Sequence, residues 1–351
     1  MRNGFIQNQY FQCLSQIREL SIDGSLDLAC SLVNELPSKL SVSEDLILSH
    51  TLIRKLPKQL VVGRTLDLSY TRISELPTEL VVGGDLCLSN TLVRELPKKL
   101  SVGRRLDLSC TQISELPTEL VVGGDLCLSH TLVRELPDGL SIGGGIYLSH
   151  TLIRELPNSL SLGNNPYCYP GDTNLFADID LSHTLIDKLP HGLCVSGTLN
   201  LSNTPITKLP DNLSVCHSLD LSNTKITSLP SGLSVGSDSA LFCDLILSGT
   251  LISKLPNDLS ISGSLDLSCT LIRELPHGLS VNGNLNLSHT PIAKLPDDLS
   301  VNGDLDLSYT LIHNLPHRLS VNGNLNLSCT CITELPNDLS ITGETLLSEQ
   351  W

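Results

Sequence analysis

Seven aspartates share one recurring sequence position: Asp27, Asp67, Asp107, Asp180, Asp220, Asp266 and Asp306. Each lies between two large aliphatic residues, as in Leu26-Asp27-Leu28. If every repeat adds one strand to a sheet, aspartates two repeats apart stand roughly 10 Å apart. That is near the upper end of the separation at which two carboxylates can hydrolyse a glycosidic bond with inversion. Such a pair also needs environments that push its two pKa values apart. This row instead repeats one environment, so it reads as a solvated acidic stripe, with a carbohydrate-active solenoid as the alternative. No two of these aspartates fall in adjacent repeats; Ile47, Cys87, Cys127 and Asn200 intervene. Adjacent stacked carboxylates would repel and raise each other's pKa, so the alternation relieves that cost. Duplication in two-repeat units explains the pattern equally well, since Thr78–Pro97 and Thr118–Pro137 are near-copies.

Three residues on, a second row carries Cys110, His130, His150 and His183. Thiols and imidazoles stacked at strand spacing have the chemistry to share a borderline metal. No short ligand spacing supports one, and an insertion separates His150 from His183, so the row is read as unliganded polar residues. Cys87 and Cys127 lie two repeats apart, too far for a disulfide. The chain has twelve cysteines without a paired framework, which fits a reducing compartment. Nucleophile-elbow, phosphate-loop and zinc-protease motifs are absent. The expectation is no catalytic residue, no metal and no cofactor.

The element that positions these rows is a twenty-residue unit, L-S-V-x-G-x-L-x-L-S-x-T-x-I-x-x-L-P-x-x. Its first paired aliphatic recurs at 26, 46, 66, 86, 106, 126 and 146, then at 179, 199 and 219, then at 245, 265, 285, 305 and 325: fifteen coils. L-x-L alternates apolar and polar residues, the period of a strand with one buried face. L-S-V alternates too, and the glycine after it (Gly63, Gly83, Gly103) marks a corner. Leu-Pro closes each coil on an extended or 3₁₀ return path. Threonine fills one position in every coil but the first, which has Ser31. Its hydroxyl is expected inside the turn, bonded to backbone of its own and the adjacent coil.

L-x-L-S-x-T-x-I-x-x-L-P resembles the leucine-rich repeat, L-x-L-x-x-N-x-L-x-x-L-P. Its Leu-Pro ending and short period are similar to bacterial type III effector repeats: the YopM and IpaH/SspH group and the EspR-like leucine-rich effectors. The resemblance covers residues 20 to 340. It implies a β-rich repeat solenoid with one parallel sheet of about fifteen short strands and an extended or 3₁₀ back. Threonine replaces the usual asparagine, and L-S-V-x-G adds a second apolar piece, so a two-sheet right-handed β-helix is the alternative fold. The resemblance also implies a protein-binding effector without the C-terminal ligase domain of IpaH-like proteins. Secretion by a Sec-independent route into the host cytoplasm follows, with the bacterial cytoplasm as the alternative.

The repeat spans 20–338, between an N-terminal helical cap over 1–19 and a C-terminal half-coil cap over 339–351. The cap follows from the helical spacing of Ile6, Tyr10, Leu14 and Ile17. Two inserts, 163–177 and 236–243, break the pattern. They carry Tyr167, Tyr169 and Phe176, and Leu241 and Phe242, in a chain with only 3% aromatics. Aromatics on irregular loops beside a regular sheet suit a binding site. With Tyr147, His150, His183, Asp180 and Asp220 they form the expected contact surface.

Composition sets the outer bounds. Of 351 residues 40% are hydrophobic, and with so few aromatics the core must be Leu, Ile and Val. A formal charge of −15 disfavours nucleic acid and anionic membranes and suits a basic protein partner, which the resemblance implies is of host origin. No stretch has the length of a membrane span. The expectation is a monomeric protein-binding scaffold; a truncated or degenerate repeat protein is the remaining alternative.

Overall fold

The paired leucines and the L-S-V segment each alternate large aliphatic and small or polar residues. In the computed structural model both become short parallel strands. The structure describes residues 17–163, 177–236, 243–257, 259, 261–332 and 334–347. Two compact units, Met1–Asp178 and Ile179–Trp351, divide the chain.

In the first unit one ladder runs through Leu26–Asp27, Leu46–Ile47, Leu66–Asp67, Leu86–Cys87, Leu106–Asp107, Leu126–Cys127 and Ile146–Tyr147. Its register is twenty residues: Leu86 pairs with Leu106, and Leu106 with Leu126. A second ladder of eight strands runs from Glu19–Ile22 to Ser161–Leu162. In the second unit the paired-leucine ladder runs from Ile179–Asp180 to Leu325–Leu327 and continues through Thr345–Leu347, which pairs with Leu325–Leu327. The segment read as a half-coil thus contributes a further strand. The L-S-V ladder of this unit is interrupted, giving three strands (Cys194–Val195 to Ser234–Val235) and four (Ser280–Val281 to Ser340–Ile341).

The chain is therefore a parallel β-solenoid of about fifteen turns, with no helix among the described residues. The Leu-Pro return is extended, with a turn in place of 3₁₀ structure. Residues 1–16, most of the expected helical cap, lie outside the described residues, and Glu19 already begins a strand.

The core is a set of aliphatic layers, one residue per coil in each. Leu66, Leu86, Leu106 and Leu126 are fully buried, as are Leu68, Leu88, Leu108 and Leu128 one layer on. The threonines lie inside. Thr111 is 4% exposed, and its hydroxyl donates to the Leu108 carbonyl at 2.7 Å; the same bond recurs at Thr71, Thr91 and Thr131. The bond stays within the coil, so the hydroxyl does not stitch neighbouring coils. That work falls to the preceding residue: the Cys110 amide donates to the Ser129 carbonyl of the next coil at 2.9 Å. Thr111→Val removes a buried donor while keeping the shape, and is expected to cost about 1–2 kcal/mol. Thr111→Ser should cost less, and urea denaturation of the two variants checks the order.

Glycine at the corner is required by close approach, not by an unusual φ. A Cβ on Gly83 would lie 2.2 Å from the Gly63 carbonyl oxygen, and one on Gly103 would lie 2.0 Å from that of Gly83.

Candidate functional site

The residue before each threonine takes the left-handed conformation. In the first unit these are Cys30, His50, Tyr70, Asn90, Cys110, His130 and His150, with φ between 57° and 60°. In the second they are His183, Asn203, Asn223, Gly249, Cys269, His289, Tyr309 and Cys329. Glycine and asparagine adopt this conformation cheaply, whereas other L-residues there cost roughly 1–2 kcal/mol. Two bonds hold it in place. The residue's own amide is tied to the next coil, as in His50 to Ser69 O at 3.0 Å, and the following threonine is locked by its buried hydroxyl.

All these side chains except Gly249 are exposed. Consecutive rings stack: His50 on Tyr70 with centroids 4.4 Å apart, His130 on His150 at 4.3 Å, and His289 on Tyr309 at 4.3 Å. Two residues further along each coil, past the buried threonine, lies an exposed apolar row. In the first unit it comprises Leu32, Leu52, Leu92 and Leu132; in the second, Leu185, Leu251, Leu271 and Leu311. Each unit thus presents a strip of fixed polar rings and imidazoles beside unpaired leucines.

The row between the paired leucines has a different role. Asp67 Oδ1 accepts the Ser69 amide at 2.9 Å, and Asp107 does the same for Ser109. Asp180 accepts from Ser182 at 3.0 Å and Asp220 from Ser222 at 2.8 Å, with Asn200 serving Ser202 between them. These side chains cap the strand end and steer the chain into the left-handed residue. They are half-buried, not a freely solvated stripe. Asparagine does the same work, and its amide also bridges coils: Asn326 Nδ2 donates to Asp306 Oδ2 at 3.1 Å.

Where this row holds cysteine or tyrosine, the group is neutral. Burial, and then Asp67, Asp107 and Asp85, push the Cys87 thiol up to about 12 against the opposing field of Arg105. Burial pushes Cys127 to about 11 despite Arg105, with Asp107 and Asp125 adding to the rise. Tyr147 is half-buried, its hydroxyl 3.5 Å from Asp178 Oδ2. Burial, followed by Asp125 and Asp178, pushes its phenol to about 12. It is a seated donor, not a free aromatic anchor.

Among the other residues expected at the contact surface, His150 lies in the first unit and His183 in the second, each in the exposed left-handed row. Tyr167, Tyr169, Phe176, Leu241 and Phe242 lie outside the described residues. Among the described residues no group of three or more His, Cys, Asp or Glu is placed to hold a metal ion, and no helix is long and apolar enough to cross a membrane. Sequence reasoning named His130 in an exposed polar row but not its backbone conformation, and it missed His50, Tyr70 and the exposed leucines. Asn90, Asn203, Asn223 and Gly249 in the same register were the available signal for a left-handed position.

No family model matches the sequence, and no curated protein matches it. Solved structures do. YopM, a leucine-rich effector protein from Yersinia pestis, superimposes with a TM-score of 0.61 at 21% identity, over 92% of this chain and 88% of that one. The APL1 leucine-rich repeat domain gives 0.60 at 17% identity over 93% and 99%. A chain of the LRIM1/APL1C complex gives 0.56 at 17% identity over 93% and 69%. At these identities the likeness concerns the fold, and it agrees with the repeat consensus and the twenty-residue register: the chain has the leucine-rich-repeat fold.

Proposed function

We propose that the chain is a protein-binding scaffold that uses the exposed left-handed row and the leucines beside it. One observation carries this reading. The fold needs only glycine or asparagine at the left-handed position, yet the sequence places His, Tyr or Cys at most of these turns and holds them rigid. Side chains fixed before binding lose little entropy on contact, which offsets the backbone strain and supports a role in recognition. The aspartate row, engaged as repeated strand caps, supports binding over turnover. The finer reading, kept as part of this proposal, is an effector secreted by a Sec-independent route and acting on host proteins; its motivation is the Leu-Pro repeat that resembles bacterial effector repeats.

The test exploits the strain. A His50→Gly, Tyr70→Gly, His130→Gly variant removes three contact side chains and relieves three unfavourable φ angles. Its denaturation midpoint is expected to equal or exceed that of the unaltered protein, while capture of its partner from host cells is lost. A lowered midpoint with capture unchanged would overturn the proposal, because the row would then be structural.

A further inference from the structure

Two exposed cysteines share one turn of the second unit. Cys329 holds the left-handed position, with φ of 56°, and Cys331 stands two residues on, in the row that carries Leu271 and Leu311. Between them the Thr330 hydroxyl turns inward and donates to the Leu327 carbonyl at 2.7 Å, and Ile332 beyond them is buried. The two thiols therefore leave the backbone on the same outer side, and both are free. Other left-handed cysteines lack such a neighbour: Cys30, Cys110 and Cys269 have Leu32, Gln112 and Leu271 at the matching place.

This arrangement suits a ligand that takes two sulfurs. Two peptide units keep the Cα atoms no more than about 7 Å apart. Thiolates on opposite sides of one soft metal ion lie about 4.6 Å apart, at roughly 2.3 Å for each metal–sulfur bond. Side chains that start from one side of one turn reach that separation by rotation about χ1. The second sulfur is tethered to the first, so its bond forms as an intramolecular step. Tyr309 supports the pair. Its ring stacks on His289 at 4.3 Å, and its hydroxyl is hydrogen-bonded to the Cys329 side chain, which raises the phenol above its ordinary value. The phenol thus keeps its proton and donates to the sulfur. Such a donor steadies the negative charge of a ligating thiolate.

Coordination number chooses the ion. Zinc takes four ligands in a closed structural site, and among the described residues no group of three or more His, Cys, Asp or Glu is placed to hold a metal ion. Iron–sulfur clusters need four ligands as well. Copper(I) is soft, selects thiolates and is satisfied by two of them in a line. We propose that Cys329 and Cys331 form a two-sulfur site for copper(I), with Tyr309 as the hydrogen-bond donor to one sulfur. Each thiol gives its proton to solvent as its bond to copper forms. Copper stays in the +1 state, and no electron is transferred. The site goes beyond partner binding, since it requires no second protein.

The test is anaerobic titration of the full chain with copper(I) against bicinchoninate, whose copper complex loses its colour as the protein takes up the metal. The unaltered protein is expected to take up a first equivalent with an affinity that C329S and C331S each lower at least about a hundredfold, the upper end of what loss of a supporting residue causes. A C30S/C110S/C269S variant removes other exposed thiols of the same row and should match the unaltered protein. Tyr309→Phe should weaken binding about tenfold; an unchanged affinity would remove Tyr309 from the site. X-ray absorption of the copper-loaded unaltered protein is expected to show two sulfur neighbours, and this reading needs no variant to fold. No uptake, full affinity in either single serine variant, an equal loss in the triple variant, or a shell of three or more sulfurs would overturn the proposal.

Discussion

Gly103→Ala is expected to cost about 3 kcal/mol or more, in a chain where most surface substitutions cost little. The added Cβ would sit 2.0 Å from the Gly83 carbonyl oxygen and 2.8 Å from its carbon. Both are backbone atoms, so no side chain can rotate away. Nor can the coil retreat freely, because Gly103 N donates to Val82 O and Arg104 N to Gly84 O at 3.1 Å each. Relief requires breaking these bonds and opening the aliphatic layers on either side. Gly139→Ala is the internal comparison. A Cβ there meets nothing within 4 Å, and only its φ of +75° opposes the change, at a cost of about 1 kcal/mol. Urea midpoints should fall far more for the first variant than for the second. Equal shifts would show that the coils are not stacked as tightly as described.

The second large effect is chemical. At pH 8 a thiol of ordinary pKa, 9.0, is roughly one-tenth ionised, whereas one near 12 is ionised to about one part in ten thousand. Thiolate is the alkylating species, and the greater nucleophilicity of a more basic thiolate recovers only part of that factor. In the folded protein Cys87 should therefore react with iodoacetamide at least about thirtyfold, and Cys127, near 11, at least about tenfold, more slowly than the exposed Cys110, with burial slowing both further. Peptide mapping by mass spectrometry reads the three rates together. Comparable rates would mean that the row between the leucines is open to solvent and that its carboxylates do not raise the thiols. The raised values also set the sign of an alkaline effect: folding is undisturbed below the unfolded thiol pKa near 9 and loses stability as pH rises above it.

The coil was legible because its signals are periodic. Leu86, Leu106 and Leu126 recur at twenty residues, and the ladder pairs them in that register. Thr111 could be placed inside because a β-branched hydroxyl residue repeated in every coil but the first suits a buried turn. What escaped was conformation and exchange of roles. His50 and Tyr70 went unremarked, since nothing in their chemistry announces a left-handed backbone; that follows from the bonds of their neighbours. Asp67 read as a surface charge separated from its like, although its first task is to accept the Ser69 amide. Gly103 read as a turn residue, whereas the structure needs its lack of a Cβ. In each case the cause lies in the adjacent coil or in the next two residues, which no single position reveals.

The central claim is that successive coils stack in one fixed twenty-residue register, so that residues twenty apart lie on one line. Spin labels carried on a noncanonical ketone residue at positions 54 and 134 measure it directly, without disturbing the native cysteines. Four coils separate these sites, so the account predicts a narrow distance distribution centred near 19 Å, about four strand spacings. A broad distribution, or a centre beyond about 30 Å, would contradict it.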